Sequence, residues 1–134
     1  MANVLYAQSG GVTAVINASA LGVIEAVQAY PQKFGTMYAA INGISGLLRE
    51  ELVDIATEDA DEIKKLRHTP GGAFGSCRYK LKPEDQQAFH RILDIFKAHD
   101  IRYFFYNGGG DSQDTTHKIA QFCQQHNYPM HCIG

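Results

Sequence analysis

The sequence predicts an α/β fold, an open, mostly parallel sheet with helices on both faces in a Rossmann-like arrangement. Three observations carry this expectation. Short apolar runs at residues 4–7, 101–106 and 130–133 have the length of strands. Glycine-rich turns follow the first two, and segments with helical spacing follow the turns. Strand, glycine turn, helix and strand in repetition is the order found in open α/β sheets.

Residues 4–7 form the first strand, ended by Gln8-Ser9-Gly10-Gly11. From residue 13 to about 30, Val15, Ala18, Gly22, Ile24 and Val27 lay out an apolar stripe at near-helical spacing, stopped by Pro31. Residues 36–41 are β-prone and close at Asn42-Gly43, a turn signal. Residues 47–56 read as a short helix or turn followed by an edge strand. Residues 58–67 read as a polar helix with acids in the first turn and bases in the last, matching the helix dipole. Residues 68–80 are a glycine-rich loop.

Pro83 fits the first turn of the next helix, with Glu84 and Asp85 at its N-terminal end. Phe89, Ile92, Leu93 and Phe96 give that helix a core face at i, i+3, i+4, i+7. Residues 101–106 are aromatic and β-branched throughout and read as a strand. The loop Asn107-Gly108-Gly109-Gly110-Asp111-Ser112 leads into a helix to about residue 125, which carries Ile119, Ala120 and Phe122. Residues 130–133 begin another strand.

A chain of 134 residues, 45% hydrophobic and 19% charged, is one soluble domain or a piece of a larger one. It is long enough to build a core without a disulfide or metal staple. A net charge of −2 argues against nucleic acid and anionic membrane as partners. No apolar run approaches the ~20 residues of a membrane span. The first six residues read as a strand rather than a signal peptide, so the expected location is cytoplasmic. Cys77, Cys123 and Cys132 lack CxxC spacing, and Cys123 and Cys132 read as small buried hydrophobes. His68, His90, His99, His117, His126 and His131 form no HxxxH or HExxH arrangement and read as surface or helix-end residues. A zinc hydrolase is therefore disfavoured.

The chemistry lies in the glycine turns. In open α/β sheets, ligands bind at the carboxyl ends of the strands, where residues 9–11 and 108–112 fall. A strand–glycine–helix turn offers unpaired backbone N–H groups and the positive end of a helix to an anion. One such turn can be a tight turn and nothing more; two at one sheet edge point to phosphate. A third segment, Gly71-Gly72-Ala73-Phe74-Gly75-Ser76-Cys77-Arg78, brings a guanidinium able to pair bidentately with phosphate oxygens. A surface ion pair is the plain alternative for Arg78. Asp111 stands out, because a carboxylate beside a phosphate nest is repelled unless a cation offsets it. It reads either as a ligand of Mg²⁺ shared with phosphates or as a helix N-cap, with Ser112 the alternative cap. Asp114, one turn into the helix, reads as dipole-compensating. Walker-A and GxGxxG spacings are absent at these turns.

Three stretches together resemble the phosphofructokinase family. They are residues 7–18 (Ala7-Gln8-Ser9-Gly10-Gly11-Val12-Thr13-Ala14-Val15-Ile16-Asn17-Ala18), the Gly71-Gly72 … Arg78 stretch and Gly108-Gly109-Gly110-Asp111-Ser112, in the family's order and approximate spacing. The resemblance covers essentially the whole chain but only the N-terminal third or so of a family member. It implies the N-terminal part of a phosphofructokinase-type fold. It assigns Gly10, Gly11, Arg78, Gly108, Gly109, Gly110 and Ser112 to the phosphates of the donor. The ATP-dependent branch typically reads Gly-Gly-Asp-Gly-Ser in the last loop, so Asp111 stands where ATP users carry glycine. That substitution resembles the pyrophosphate-dependent branch. A carboxylate there fills and charges the space that the α-phosphate and nucleoside of ATP would cross, whereas diphosphate ends short of it. Gln8-Ser9-Gly10-Gly11-Val12 also lacks the Asp that ATP-type sequences often carry after the paired glycines.

The family's magnesium-linked position falls on Gly110, which has no side chain, leaving phosphates, water, or a neighbour such as Asp111 or Asp114 to hold Mg²⁺. The family's Pro-Lys-Thr-x-Asp-x-Asp segment, which carries the catalytic base, does not occur in residues 1–134 and is expected just after Gly134. The expectation is therefore a partial donor-phosphate-binding domain over residues 1–134 with no catalytic residue of its own. The resemblance implies a parent enzyme, a homo-oligomer, that phosphorylates fructose 6-phosphate with diphosphate in glycolysis or gluconeogenesis. The alternatives are an ATP-dependent phosphofructokinase, a kinase of the NAD or diacylglycerol kinase superfamily, and a non-catalytic phosphate-binding or interaction module.

Overall fold

The structure, a computed structural model, describes residues 2–8, 16–41, 43–55, 84–107 and 110–134, with the backbone alone at 16–19 and 110–112. Five strands form one sheet: β1 (Asn3–Gln8), β2 (Met37–Ala40), β3 (Leu52–Asp54), β4 (Ile101–Asn107) and β5 (His131–Ile133). Their spatial order is β3-β2-β1-β4-β5. β1 runs parallel to β2 and β4, β4 runs parallel to β5, and β3 pairs antiparallel with β2. The described helices are α1 (Ile16–Gln28), α2 (Gly43–Leu48), α3 (Gln86–Ala98) and α4 (Gly110–Gln125). The expected helix at 58–67 and loop at 68–80 lie outside the described residues.

Alternation along β1 sends its side chains into two separate cores, as expected of a central strand covered on both faces. Val4 and Tyr6 join Ala20, Leu21, Ile24 and Val27 of α1, together with Met37, Ala39 and Ile55. Leu5 and Ala7 face the other way, against Ile44 and Leu47 of α2, the apolar face of α3, and Ile119, Phe122 and Cys123 of α4. Fully burying each Leu, Ile or Phe here contributes about 1.5–3 kcal/mol, so the two cores fix which way every strand faces.

The structure moves several expected boundaries. The buried face of α1 is Ala20, Leu21, Ile24 and Val27, while Gly22, expected in the stripe, is exposed. Ile24 and Val27 are buried as expected, and the larger Leu21 takes the core place expected for Gly22; Val15 and the side chain of Ala18 lie outside the described residues. Pro83 lies outside the described residues, and α3 begins at Gln86, after Glu84 and Asp85. Asp85 occupies the N-cap position without a side-chain capping bond. Its core face is Phe89, Ile92, Leu93 and Phe96 as expected, with Ile95 added. The stretch after Ile41 resolves into α2 followed by the antiparallel edge strand β3, whose three residues make a short edge.

Tight links hold the sheet edge opposite the glycine turns. Asn3 donates from Nδ2 to the His99 carbonyl at 2.6 Å and accepts from the Thr36 N–H at 2.7 Å. One side chain thus ties the start of β1 to the turn before β4 and the turn before β2. The Tyr128 hydroxyl lies 2.7 Å from the Ile101 carbonyl and 3.1 Å from that of Phe96, joining α3 to β4. The turn into α2 depends on glycine. Gly43 takes φ 59°, and a Cβ at Gly46 would overlap the carbonyl oxygen of Ile41.

Gly46→Ala is therefore expected to lower stability by roughly 3 kcal/mol, at the upper end for overpacking, because the atom it meets is backbone. Urea unfolding of wild type and variant measures this, and equal midpoints would contradict the close approach.

Candidate functional site

The strand order places the site. The chain leaves β1 toward β2 on one side and later returns to β4 on the other, so β1 and β4 flank the point where strand order reverses. Crevices at the carboxyl ends of strands open at such points. β1 and β4 are in parallel register over six pairs, ending at Ala7↔Tyr106 and Gln8↔Asn107. Their carboxyl ends are therefore level, and a helix follows each in sequence, α1 after β1 and α4 after β4.

Beyond β4 the chain needs only two residues before α4 begins. Gly110, Asp111 and Ser112 form the backbone of the first helical turn rather than the end of a loop. This corrects the reading of Asp111 or Ser112 as N-cap, since both lie inside the helix. The reason is geometric: β4 extends to Asn107, one residue further than expected, which brings the helix start forward. The first N–H groups of a helix have no intrahelical acceptor and carry the positive end of the dipole. A 16-residue helix thus begins just beyond the carboxyl end of β4, its first N–H groups without acceptors inside the helix. Gly10, Gly11, Arg78, Gly108 and Gly109 lie outside the described residues.

Polar side chains that sequence reasoning did not assign to the site close β1 and β4 on the sheet face covered by α1. The Tyr6 hydroxyl donates to Gln8 Oε1 at 3.0 Å and accepts from Asn107 Nδ2 at 3.3 Å. Gln8 is fully buried and Tyr6 nearly so. Burial pushes the Tyr6 phenol above its ordinary value, opposed by the hydrogen bond from Asn107, so it stays neutral at physiological pH. The Gln8 Nε2 has no hydrogen-bond partner. The available signal was a polar residue closing an otherwise apolar strand, immediately before paired glycines.

Among the described residues, no group of three or more His, Cys, Asp or Glu side chains could hold a metal ion. Asp114 is engaged by Lys118 at 2.8 Å, one helical turn on, which leaves its carboxylate on the helix surface rather than over the crevice. The described histidines have structural settings. His99 caps the C-terminus of α3 and bonds Glu50 at 2.8 Å, His126 Nδ1 lies 2.9 Å from the Phe122 carbonyl, and His131 stacks on Tyr103.

Cys123 is buried, whereas Cys132 is only partly so. Burial pushes the Cys123 thiol up to about 12 and the Cys132 thiol up to about 11, from an ordinary value of 9. A raised folded pKa contributes stability that is complete below pH 9 and is lost as pH climbs toward 11–12. Neither thiol is a nucleophile at neutral pH. At pH 8, iodoacetamide labelling of the Cys123 peptide is expected to be at least about a hundredfold slower than that of free cysteine. Labelling at the free rate, read by mass spectrometry, would contradict this burial.

A family model described as Phosphofructokinase matches residues 3–134. The chain is 56% identical over 133 residues to a protein of Methylococcus capsulatus named pyrophosphate–fructose 6-phosphate 1-phosphotransferase. That match covers 98% of this chain and 32% of the relative. The crystal structure of a pyrophosphate-dependent phosphofructokinase from Marinobacter aquaeolei superimposes with a TM-score of 0.89 at 55% identity, covering 97% of this chain and 32% of that one. Another, from Nitrosospira multiformis, gives 0.90 at 55% identity with the same coverage. The chain thus spans about a third of the length of the curated relatives it matches.

Proposed function

The chain belongs to the phosphofructokinase family, and we propose that it is the donor-binding part of a pyrophosphate-dependent phosphofructokinase. The complete enzyme would move a phosphoryl group from diphosphate to the 1-hydroxyl of fructose 6-phosphate, giving fructose 1,6-bisphosphate and phosphate. The observation that carries this reading is Asp111 in the first turn of α4, at the reversal point of the sheet. The names of relatives at 56% identity support it.

Phosphoryl transfer is catalysed mainly by positioning and by neutralising charge on the transferring group. In this reading the N–H groups of Gly110, Asp111 and Ser112 receive oxygens of the donor, with the glycine backbone at 10, 11, 108 and 109 completing the cradle. Arg78 adds a bidentate cation. Asp111 stands where a longer polyphosphate would continue, and its carboxylate excludes a nucleotide by charge and bulk. The base that takes the sugar hydroxyl proton belongs to the family's Pro-Lys-Thr-x-Asp-x-Asp segment, which residues 1–134 do not contain.

Mg²⁺ belongs to the same proposal. It is ordinarily bound by one or two carboxylates together with substrate phosphates. Gly110 offers no side chain and Asp114 pairs with Lys118, so this reading assigns the ion to Asp111. When bound, the ion would screen the charge of the diphosphate oxygens. In this reading the complete enzyme is a cytoplasmic homo-oligomer of the glycolytic and gluconeogenic route. Within the described residues, no helix is long and apolar enough to cross a membrane.

The purified 134-residue chain is expected to make no fructose 1,6-bisphosphate from fructose 6-phosphate and diphosphate, while the complete enzyme does so with diphosphate and poorly with ATP. A coupled assay reads both, and turnover by the 134-residue chain alone would overturn the division of labour. Asp111→Gly in the complete enzyme should raise kcat/KM for ATP by about tenfold or more. An unchanged donor preference would remove the assigned role of Asp111.

A further inference from the structure

The two faces of the sheet are covered unequally. The steps from β1 to β2 and from β4 to β5 run in opposite directions, so right-handed crossovers put α1 on one face and α4 on the other. α2 and α3 join α4, and beneath these helices Phe104 and Tyr106 of β4 are buried. On the other face, α1 is the described helix, packed over Val4 and Tyr6 of β1. Register carries that face outward: Val4 pairs with Tyr103 and then His131, and Tyr6 with Phe105 and then Ile133. Tyr103 and Phe105 are only partly buried, His131 is exposed on the Tyr103 ring, and Ile133 is 56% exposed. Between α1 and β4 the face sinks into a groove of about 620 Å³ walled by Val23, Ala26, Tyr30, Phe34 and Phe105, with Lys33 its charged residue. Ala26 and Tyr30 are exposed there.

Strands of a parallel sheet are buried on both faces, and helices are the usual cover. A further strand beside β5 would, by the same handedness, send its crossover helix to the α4 face. The groove is therefore filled by a segment that returns from further along. Relatives at 56% identity have the length for it, since this chain spans 32% of theirs. We propose that in the complete protein an apolar-faced helix from beyond residue 134 of the same chain packs in this groove beside α1, over Tyr103, Phe105 and Ile133. The proposal rests on the reading of these residues as part of a longer enzyme. Its test uses no catalysis, so failure of the diphosphate reading leaves it standing.

The test is photo-crosslinking of the complete protein with benzoylphenylalanine in place of Tyr30, read by gel electrophoresis and peptide mass spectrometry. The expected product keeps the mass of one chain and joins residue 30 to a segment beyond residue 134. A product of two chains would put a second copy in the groove and overturn the proposal, as would a link back into residues 1–134 or no product. Ala26→Glu gives an independent reading. At an open helix site it is nearly neutral, whereas under a packed helix it buries an unpaired charge, so Tm should fall by about 3 °C or more. An unchanged Tm overturns the proposal. Should the residue-30 variant fail to fold, Ala26→Cys replaces it, read by maleimide labelling of the peptide that contains residue 26. Labelling should be about tenfold or more slower in the native complete protein than in urea, at every protein concentration. Equal rates, or protection lost on dilution, overturn the proposal.

Discussion

The parallel pairing of β1 with β4 is the constraint on which the rest of the site depends. Six register pairs bring the carboxyl ends of two strands level, although about a hundred residues separate Gln8 from Asn107 in sequence. A one-residue slip would turn Tyr6 and Gln8 onto the α3–α4 face and put Leu5 and Ala7 under α1, breaking both cores at once. Burial on two faces therefore locks a register that the function needs. Because both strands end together, Gln8 and Asn107 close them at the same level of the sheet.

The two edges of the sheet are built differently. Opposite the site, Asn3 and Tyr128 satisfy backbone groups of Thr36, Phe96, His99 and Ile101. At the carboxyl edge, the first N–H groups of α4 have no acceptor within the helix, and the amide nitrogen of Gln8 has no hydrogen-bond partner. A buried donor left unmet, as at Gln8, costs about 1–3 kcal/mol, an expense borne at one edge and avoided at the other. That asymmetry, more than any single residue, marks where an anion belongs. The stability of the closed edge and of the two cores is what allows the open edge to remain unsatisfied.

The strands and long helices were legible because their patterns were undiluted. The apolar run at β1, the aromatic run at β4 and the i, i+3, i+4, i+7 face of α3 each declare one period. Gly22 misled, since a residue without a side chain carries no hydrophobic driving force and can sit on either face of a helix. The start of α4 was misplaced because glycine runs suggest loops, whereas the extension of β4 through Asn107 leaves room for only two residues before the helix. Tyr6 was legible as core, but its bridge between Gln8 and Asn107 was not. Such a contact joins positions 101 apart and exists only once strand order and register are known. The resemblance that the glycine segments carry agrees with the family to which the chain belongs, while residues 9–11, 71–78, 108 and 109 lie outside the described residues.

The most direct measurement is a crystal structure of the complete protein with inorganic diphosphate and Mg²⁺. The account predicts diphosphate beyond the carboxyl ends of β1 and β4, with its oxygens within hydrogen-bond distance of the N–H groups of Gly110, Asp111 and Ser112. Diphosphate bound away from the reversal point, with that helix N-terminus left to water, would contradict it.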